Sequence, residues 1–121
     1  MKIKRANQID PIDFTGGVSH RMLIANDNMG FGVCKTVIPQ GGPHHWHYQN
    51  HLEACYCIKG CGEIVDLSTG LRHLITPDTM YVLDNHDDHT FEALEDTILI
   101  SIFNPPLTGT ETHDKDGNYT S

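Results

Sequence analysis

Long apolar runs, clustered basic residues and any helical hydrophobic period are all missing from this 121-residue chain. No stretch approaches the roughly 18 apolar residues needed to cross a bilayer core. The basic start MKIKRANQIDPIDF leads into no apolar segment, so neither a membrane span nor a secretory leader is expected. Eight Lys and Arg stand against sixteen Asp and Glu, a formal charge of −8, and the eight are scattered. Nucleic acid and anionic membrane surfaces are therefore poor partners. A cytoplasmic location is the expectation, with Cys34, Cys55, Cys57 and Cys61 reduced. The spacing of Cys55, Cys57 and Cys61 matches no zinc ribbon, which favours small buried apolar groups over a zinc site.

What is present is punctuation. Eleven Gly and six Pro break a chain of 38% hydrophobic content into short extended runs. Residues 21–24, 31–38, a histidine-rich strand running into 53–58, 63–67, 71–75, 80–83, 89–93 and 97–103 read as strands, and the turn signals between them imply a single all-β domain over residues 1–121. Lys59-Gly60-Cys61-Gly62 suggests a tight hairpin. Residues 1–17 are expected to be irregular, a segment that Gly16-Gly17 makes flexible enough for a lid, and residues 107–121 a polar tail.

The chemistry concentrates in GGPHHWHYQNHLEACYCIKGCG, residues 41–62, where His44, His45, His47 and His51 fall within eight residues and Glu53 follows. Imidazole and carboxylate suit a divalent transition metal. Side chains alternate along a strand, so a continuous strand aims His45, His47, His51 and Glu53 at one face. His44 and His51 are expected at the surface or in a loop, His86 in a solvated turn, and His20 and His73 carry no signal.

His45-x-His47, Glu53, Gly60, then Pro77-Asp78-Thr79 and His89 follow the order of the two cupin blocks, with a longer gap before Glu53 and Thr79 in place of glycine. The resemblance implies a jelly-roll barrel holding a metal at its mouth, through His45, His47, Glu53 and His89 on the general pattern. The segments HYQNHLEACYCIKGCGEI (residues 47–64), MYVLDNHDDH (80–89) and FNPPLTGTETHDKDGNY (103–119) more closely resemble the ectoine synthase family of cupins, a likeness running from Arg21 to the C-terminus. It implies iron(II) held by Glu53, Tyr81 and His89, although such a site would also accept other divalent transition metals. Three protein ligands leave positions open for substrate. A metal-bound phenol ionises readily, so Tyr81 can be ligand and proton acceptor at once; its alternative role is an ordinary ring packed in the wall.

The family reaction is ring closure, in which the α-amine of N-γ-acetyl-L-2,4-diaminobutyrate attacks the acetyl carbonyl of the same molecule and water leaves. This implies proton traffic, for which Glu111 and His113 are the candidates, an ordinary solvated tail being the alternative. Arg21 is the candidate anchor for the substrate carboxylate because its planar fork matches one. Ser19 and Thr36 match family substrate contacts, with Phe103 as an apolar wall and Tyr48 closing the mouth. Two positions depart from the family: Gly17 stands where Trp is common and Cys34 where Asn is expected. They leave open a different N-acylated amino acid as substrate, with a non-catalytic ligand-binding cupin as a third reading. A homodimer paired through sheet edges is the expected assembly.

Overall fold

The computed structural model describes residues 1–120 and contains ten strands in two antiparallel sheets. The strands are β1 (Ile12–Phe14), β2 (Gly17–Leu23), β3 (Gly32–Ile38), β4 (Gly41–Trp46), β5 (Leu52–Lys59), β6 (Gly62–Asp66), β7 (Arg72–Ile75), β8 (Met80–Leu83), β9 (His89–Ala93) and β10 (Thr97–Asn104). The larger sheet has the order β1-β2-β3-β10-β5-β8 and the smaller β4-β9-β6-β7. This is the expected jelly-roll. Alternation generates it: Cys34, Thr36 and Ile38 on β3, Glu53, Cys55 and Cys57 on β5, and Leu99, Ser101 and Phe103 on β10 all point inward and are buried.

The interior has two compositions. Ile38, Ile64, Ile75, Phe91, Ala93 and Leu99 make an apolar floor, where Phe91 and Leu99 are essentially inaccessible. A fully buried Phe or Leu contributes about 1.5–3 kcal/mol relative to an exposed one. Trp46 lies parallel on Phe91, with centroids 5.5 Å apart, and divides this floor from a polar half containing Ser19, Arg21, Thr36, Glu53, His89 and Ser101.

Four local expectations are corrected. The histidine-rich stretch is not one strand: β4 ends at Trp46 in the smaller sheet, residues 47–51 cross over, and β5 begins at Leu52 in the larger. The crossing backbone is satisfied from elsewhere, since His47 N–H donates to Gly117 O and Gln49 N–H to the Asn118 side chain. The connection at residues 59–62 is likewise not a hairpin. β5 pairs with β10 and β8, whereas β6 pairs with β9 and β7. Gly60 (φ +93°) carries the chain between sheets, and a Cβ there would lie 2.3 Å from Asp96 O and 2.6 Å from Thr97 Cα.

The N-terminal segment is more ordered than its composition suggested. β1 forms a hairpin with β2, and Lys2 and Lys4 pair with Asp27, whose carboxylate also accepts Ile24 N–H. The tail is not a solvated appendage either. Leu107 is 1% exposed, Leu107 O accepts Ala25 N–H, and Thr112 Oγ1 donates to Asp13 O. A bridge between His113 and Tyr119 turns the last residues back over the polar half of the barrel. Composition could not reveal this, because its anchors are backbone groups of distant elements.

Gly60→Ala is expected to destabilise the chain by at least about 2 kcal/mol, from left-handed strain plus collision with fixed backbone. A lowered urea midpoint with an unchanged slope is the readout.

Candidate functional site

Inward-facing side chains of β2, β3, β5, β8 and β10 enclose the polar half. Ser19, Thr36, Glu53, Cys55, Tyr81 and Ser101 line one small internal space, and Phe14, Trp46, Tyr48 and Tyr119 cover it. Glu53 sits at 6% exposure, and among the described residues no ion pair includes it. Burial pushes its carboxyl up to about 8, opposed by hydrogen bonds from Cys55 and Ser101. Tyr81, opposite Cys55 on the neighbouring strand β8, is raised well above the ordinary phenol range, chiefly by burial.

His89 opens β9 in the facing sheet, and its ring centroid lies 6.5 Å from that of Tyr81 and 5.9 Å from that of Tyr48. Its Nδ1 is 2.8 Å from Asp87 O. Because a carbonyl can only accept, the proton belongs on Nδ1 and the Nε2 lone pair is available. That Nε2 is buried and has no hydrogen-bond partner among the described residues. A fixed tautomer with an unused buried lone pair is what a metal-binding imidazole needs. Tyr81 and His89 thus face one interior, and Tyr81 shares its space with Glu53.

The general cupin set does not form. No three His, Cys, Asp or Glu side chains among the described residues converge as a metal site. His45 is exposed and contacts Asp88, and His47 Nδ1 lies 3.8 Å from the same carboxylate oxygen at the rim. The crossing at residues 47–51 breaks the side-chain parity that would have aimed them inward. His51 lies in the crossing loop, one of its two expected places, but at 4% exposure it is buried edge-on to Phe103 and Tyr119. His86 is exposed, as expected, and its Nδ1 lies 3.0 Å from Tyr48 O.

On the other side of the space, Arg21 Nε donates to Ser19 Oγ at 2.8 Å and Nη2 to Glu111 O at 2.7 Å. Nη1 is buried without a hydrogen-bond partner among the described residues, and Glu111 Oε1 is 3.8 Å away. Glu111 accepts Thr108 and Gly109 N–H at 2.7 and 2.9 Å, so its carboxylate also ties the tail turn together. His113 packs among Phe14, Tyr48 and Tyr119 at centroid distances of 5.0, 5.4 and 5.0 Å, and burial lowers it to about 4. Both its ring nitrogens are buried and without a hydrogen-bond partner among the described residues, so it is a neutral base.

Thr36 Oγ1 and Ser101 Oγ are 2.8 Å apart at the base of the space. Phe103 is 1% exposed and stands edge-on to Tyr48 and Tyr119 without lining the internal space itself, and Tyr48, at 3%, is part of the cover. At the two departures from the family pattern, Gly17 does not open a wider pocket. A Cβ there would lie 2.3 Å from Val37 O and 3.1 Å from Phe14, whose ring supplies the aromatic wall beside His113. Cys34 is buried, and its thiol is pushed up to about 11. Sequence reasoning missed Trp46, Ser101, Phe14 and Tyr119. Only Tyr119 had a signal, as the last residue of the 103–119 motif.

The internal space is only about 10 Å³, whereas an open groove of about 560 Å³ runs between β7 and β8. The groove touches Tyr81 and His89 but lacks Glu53, Ser19 and Arg21, so volume is the wrong criterion and the convergent polar groups mark the site.

The ectoine synthase family model matches residues 2–121. An L-ectoine synthase from Desulfosudis oleivorans is 50% identical over 105 residues, covering 86% of this chain and 81% of its own length. The crystal structure of ectoine synthase from P. lautus superposes with a TM-score of 0.85 at 41% identity, covering 90% of this chain and 81% of that one. An RmlC-like cupin from Shewanella frigidimarina, at 19% identity and TM-score 0.70 over 87% of this chain and 91% of its own, shares the fold alone.

The lowered His113 has a stability consequence. Between about pH 6.5 and about 4 the unfolded imidazole takes up a proton that the folded one refuses, so this contribution is lost as pH falls through that window. His113→Phe, which suits the aromatic surroundings, is expected to raise the melting temperature relative to the native chain more at pH 5 than at pH 8. An equal difference at both values would count against it.

Proposed function

The chain belongs to the ectoine synthase family and catalyses the ring closure of N-γ-acetyl-L-2,4-diaminobutyrate to ectoine, a hydro-lyase reaction, and on that premise we propose that Glu53, Tyr81 and His89 hold a divalent metal, iron(II) by the family pattern. The observation that carries this is the Nε2 of His89, buried and without a hydrogen-bond partner among the described residues, whose ring lies 6.5 Å from that of Tyr81, which in turn shares an internal space with the Glu53 carboxylate. When bound, the metal supplies Lewis acidity toward an amide carbonyl, a poor electrophile.

The chain's own groups do the rest. Arg21 binds the α-carboxylate through Nη1, since its other two nitrogens are committed to Ser19 and the Glu111 backbone. Thr36 and Ser19 line the path between this anchor and Glu53, and Phe103 and Tyr48 exclude water around the folded substrate. Holding amine and carbonyl about 3–3.5 Å apart removes much of the entropic barrier. Neutral His113 takes the proton of the attacking amine and, with Glu111 beside Arg21, returns protons to the carbonyl oxygen as it leaves as water, while Tyr81 stays a neutral phenol unless a bound cation ionises it. Filling of the Gly17 region by Phe14 argues against a larger substrate.

The assembly we propose is a homodimer. Met80 and Val82 are half-exposed apolar side chains on β8, an edge strand of the larger sheet, and a second copy would cover them. The four unpaired thiols suit a reducing cytoplasm.

Removing metal with a chelator is expected to abolish conversion followed by chromatography, and iron(II) to restore it. His89→Ala and Glu53→Ala should each weaken metal binding at least about tenfold and reduce turnover at least about a hundredfold. Full turnover by rigorously metal-free protein would overturn the assignment. For the assembly, Val82→Lys should shift the mass measured by light scattering from dimer to monomer.

A further inference from the structure

Tyr119, third from the C-terminal end, belongs to no strand and was not among the residues expected at the site. The tail nevertheless carries its ring into the polar half of the barrel, where it is 8% exposed. It stacks on Tyr48 at 4.3 Å with an interplanar angle of 18°, and stands edge-on to Phe103 at 5.4 Å and His113 at 5.0 Å. It lines the same internal space as Glu53, Tyr81, Ser19 and Thr36. Above it, the guanidinium carbon of Arg21 lies 5.9 Å from the ring centroid.

This last contact is the informative one. Arg21 Nε and Nη2 are held by Ser19 and Glu111, leaving Nη1 as the one guanidinium nitrogen without a hydrogen bond among the described residues. An aromatic face within about 6 Å of a desolvated guanidinium stabilises the cation and restricts its plane. We propose that Tyr119 is a substrate-positioning residue, its ring supporting the Arg21 guanidinium so that Nη1, which makes no hydrogen bond among the described residues and lies 3.8 Å from Glu111 Oε1, is presented to the substrate carboxylate. The inference rests on the reading of Arg21 as the carboxylate anchor.

The positioning is supplied from the end of the chain. Gly117 is seated against β4, where a Cβ would lie 2.2 Å from His45 O, and Gly117 O and the Asn118 side chain accept His47 and Gln49 N–H. These contacts place Tyr119 from the tail, against β4 and the β4–β5 crossing. The ring, not the hydroxyl, is the operative part.

The test compares steady-state kinetics of iron-loaded, full-length native chain with Tyr119→Phe, Tyr119→Leu and Arg21→Lys, using N-γ-acetyl-L-2,4-diaminobutyrate. Substrate affinity is measured separately by Trp46 fluorescence on metal-free protein. Tyr119→Phe is expected to stay within about twofold of native KM, whereas Tyr119→Leu, which keeps the space filled but loses the aromatic face, raises KM and the fluorescence Kd about fivefold to tenfold with a smaller change in kcat. Native-like KM in Tyr119→Leu alongside a raised KM in Arg21→Lys overturns the role of Tyr119 and leaves the anchor standing. Native-like KM in Arg21→Lys removes the anchor and the proposal with it.

Discussion

A carboxylate, an imidazole lone pair and a guanidinium nitrogen are sealed within one small barrel, and the arrangement of the chain follows from accommodating them. Unpaired polar groups in a dry interior are costly, by about 1–3 kcal/mol each and more for charges. Among the described residues most are partnered, but His89 Nε2, Arg21 Nη1, His51 Nδ1 and both ring nitrogens of His113 make no hydrogen bond, and the Glu53 carboxylate is in no ion pair.

The interior is built in two halves. The floor of Phe91, Leu99, Ile38 and Ile75 supplies apolar burial, and Trp46 caps it with a flat ring that also borders the polar half. The polar half draws its side chains from both sheets, with Glu53 and Tyr81 on the larger and His89 on the smaller. The site therefore exists only when the sheets are packed. The tail closes the assembly through Glu111, His113 and Tyr119 around Arg21, and it is held by backbone groups of the β4–β5 crossing and of β1.

Much was legible in the primary order because period-two alternation is a local property. Ser19 and Arg21, Cys34 and Thr36, Glu53 and Cys55, and Leu99, Ser101 and Phe103 alternate with outward neighbours as a half-buried strand requires. The same rule misled where the chain changes sheets. From His45 to Glu53 the spacing is even, but five intervening residues cross the sandwich, and His45 ends at the rim beside Asp88. The tail misled for another reason: TETHDKDGNYT has a solvated composition, yet Leu107, Glu111 and Tyr119 are buried.

By itself, then, the order of residues determined the fold class and most strand positions, because propensity, turn residues and alternation act over a few neighbours. Only the tertiary structure decided that His45 and His47 stand apart from Glu53, that β5 and β6 belong to different sheets, that Phe14 fills the region at Gly17, and that Tyr119 lies beneath Arg21. Each of those is a meeting of segments distant in the chain, set by which surfaces the two sheets bury against one another, and no local period encodes it.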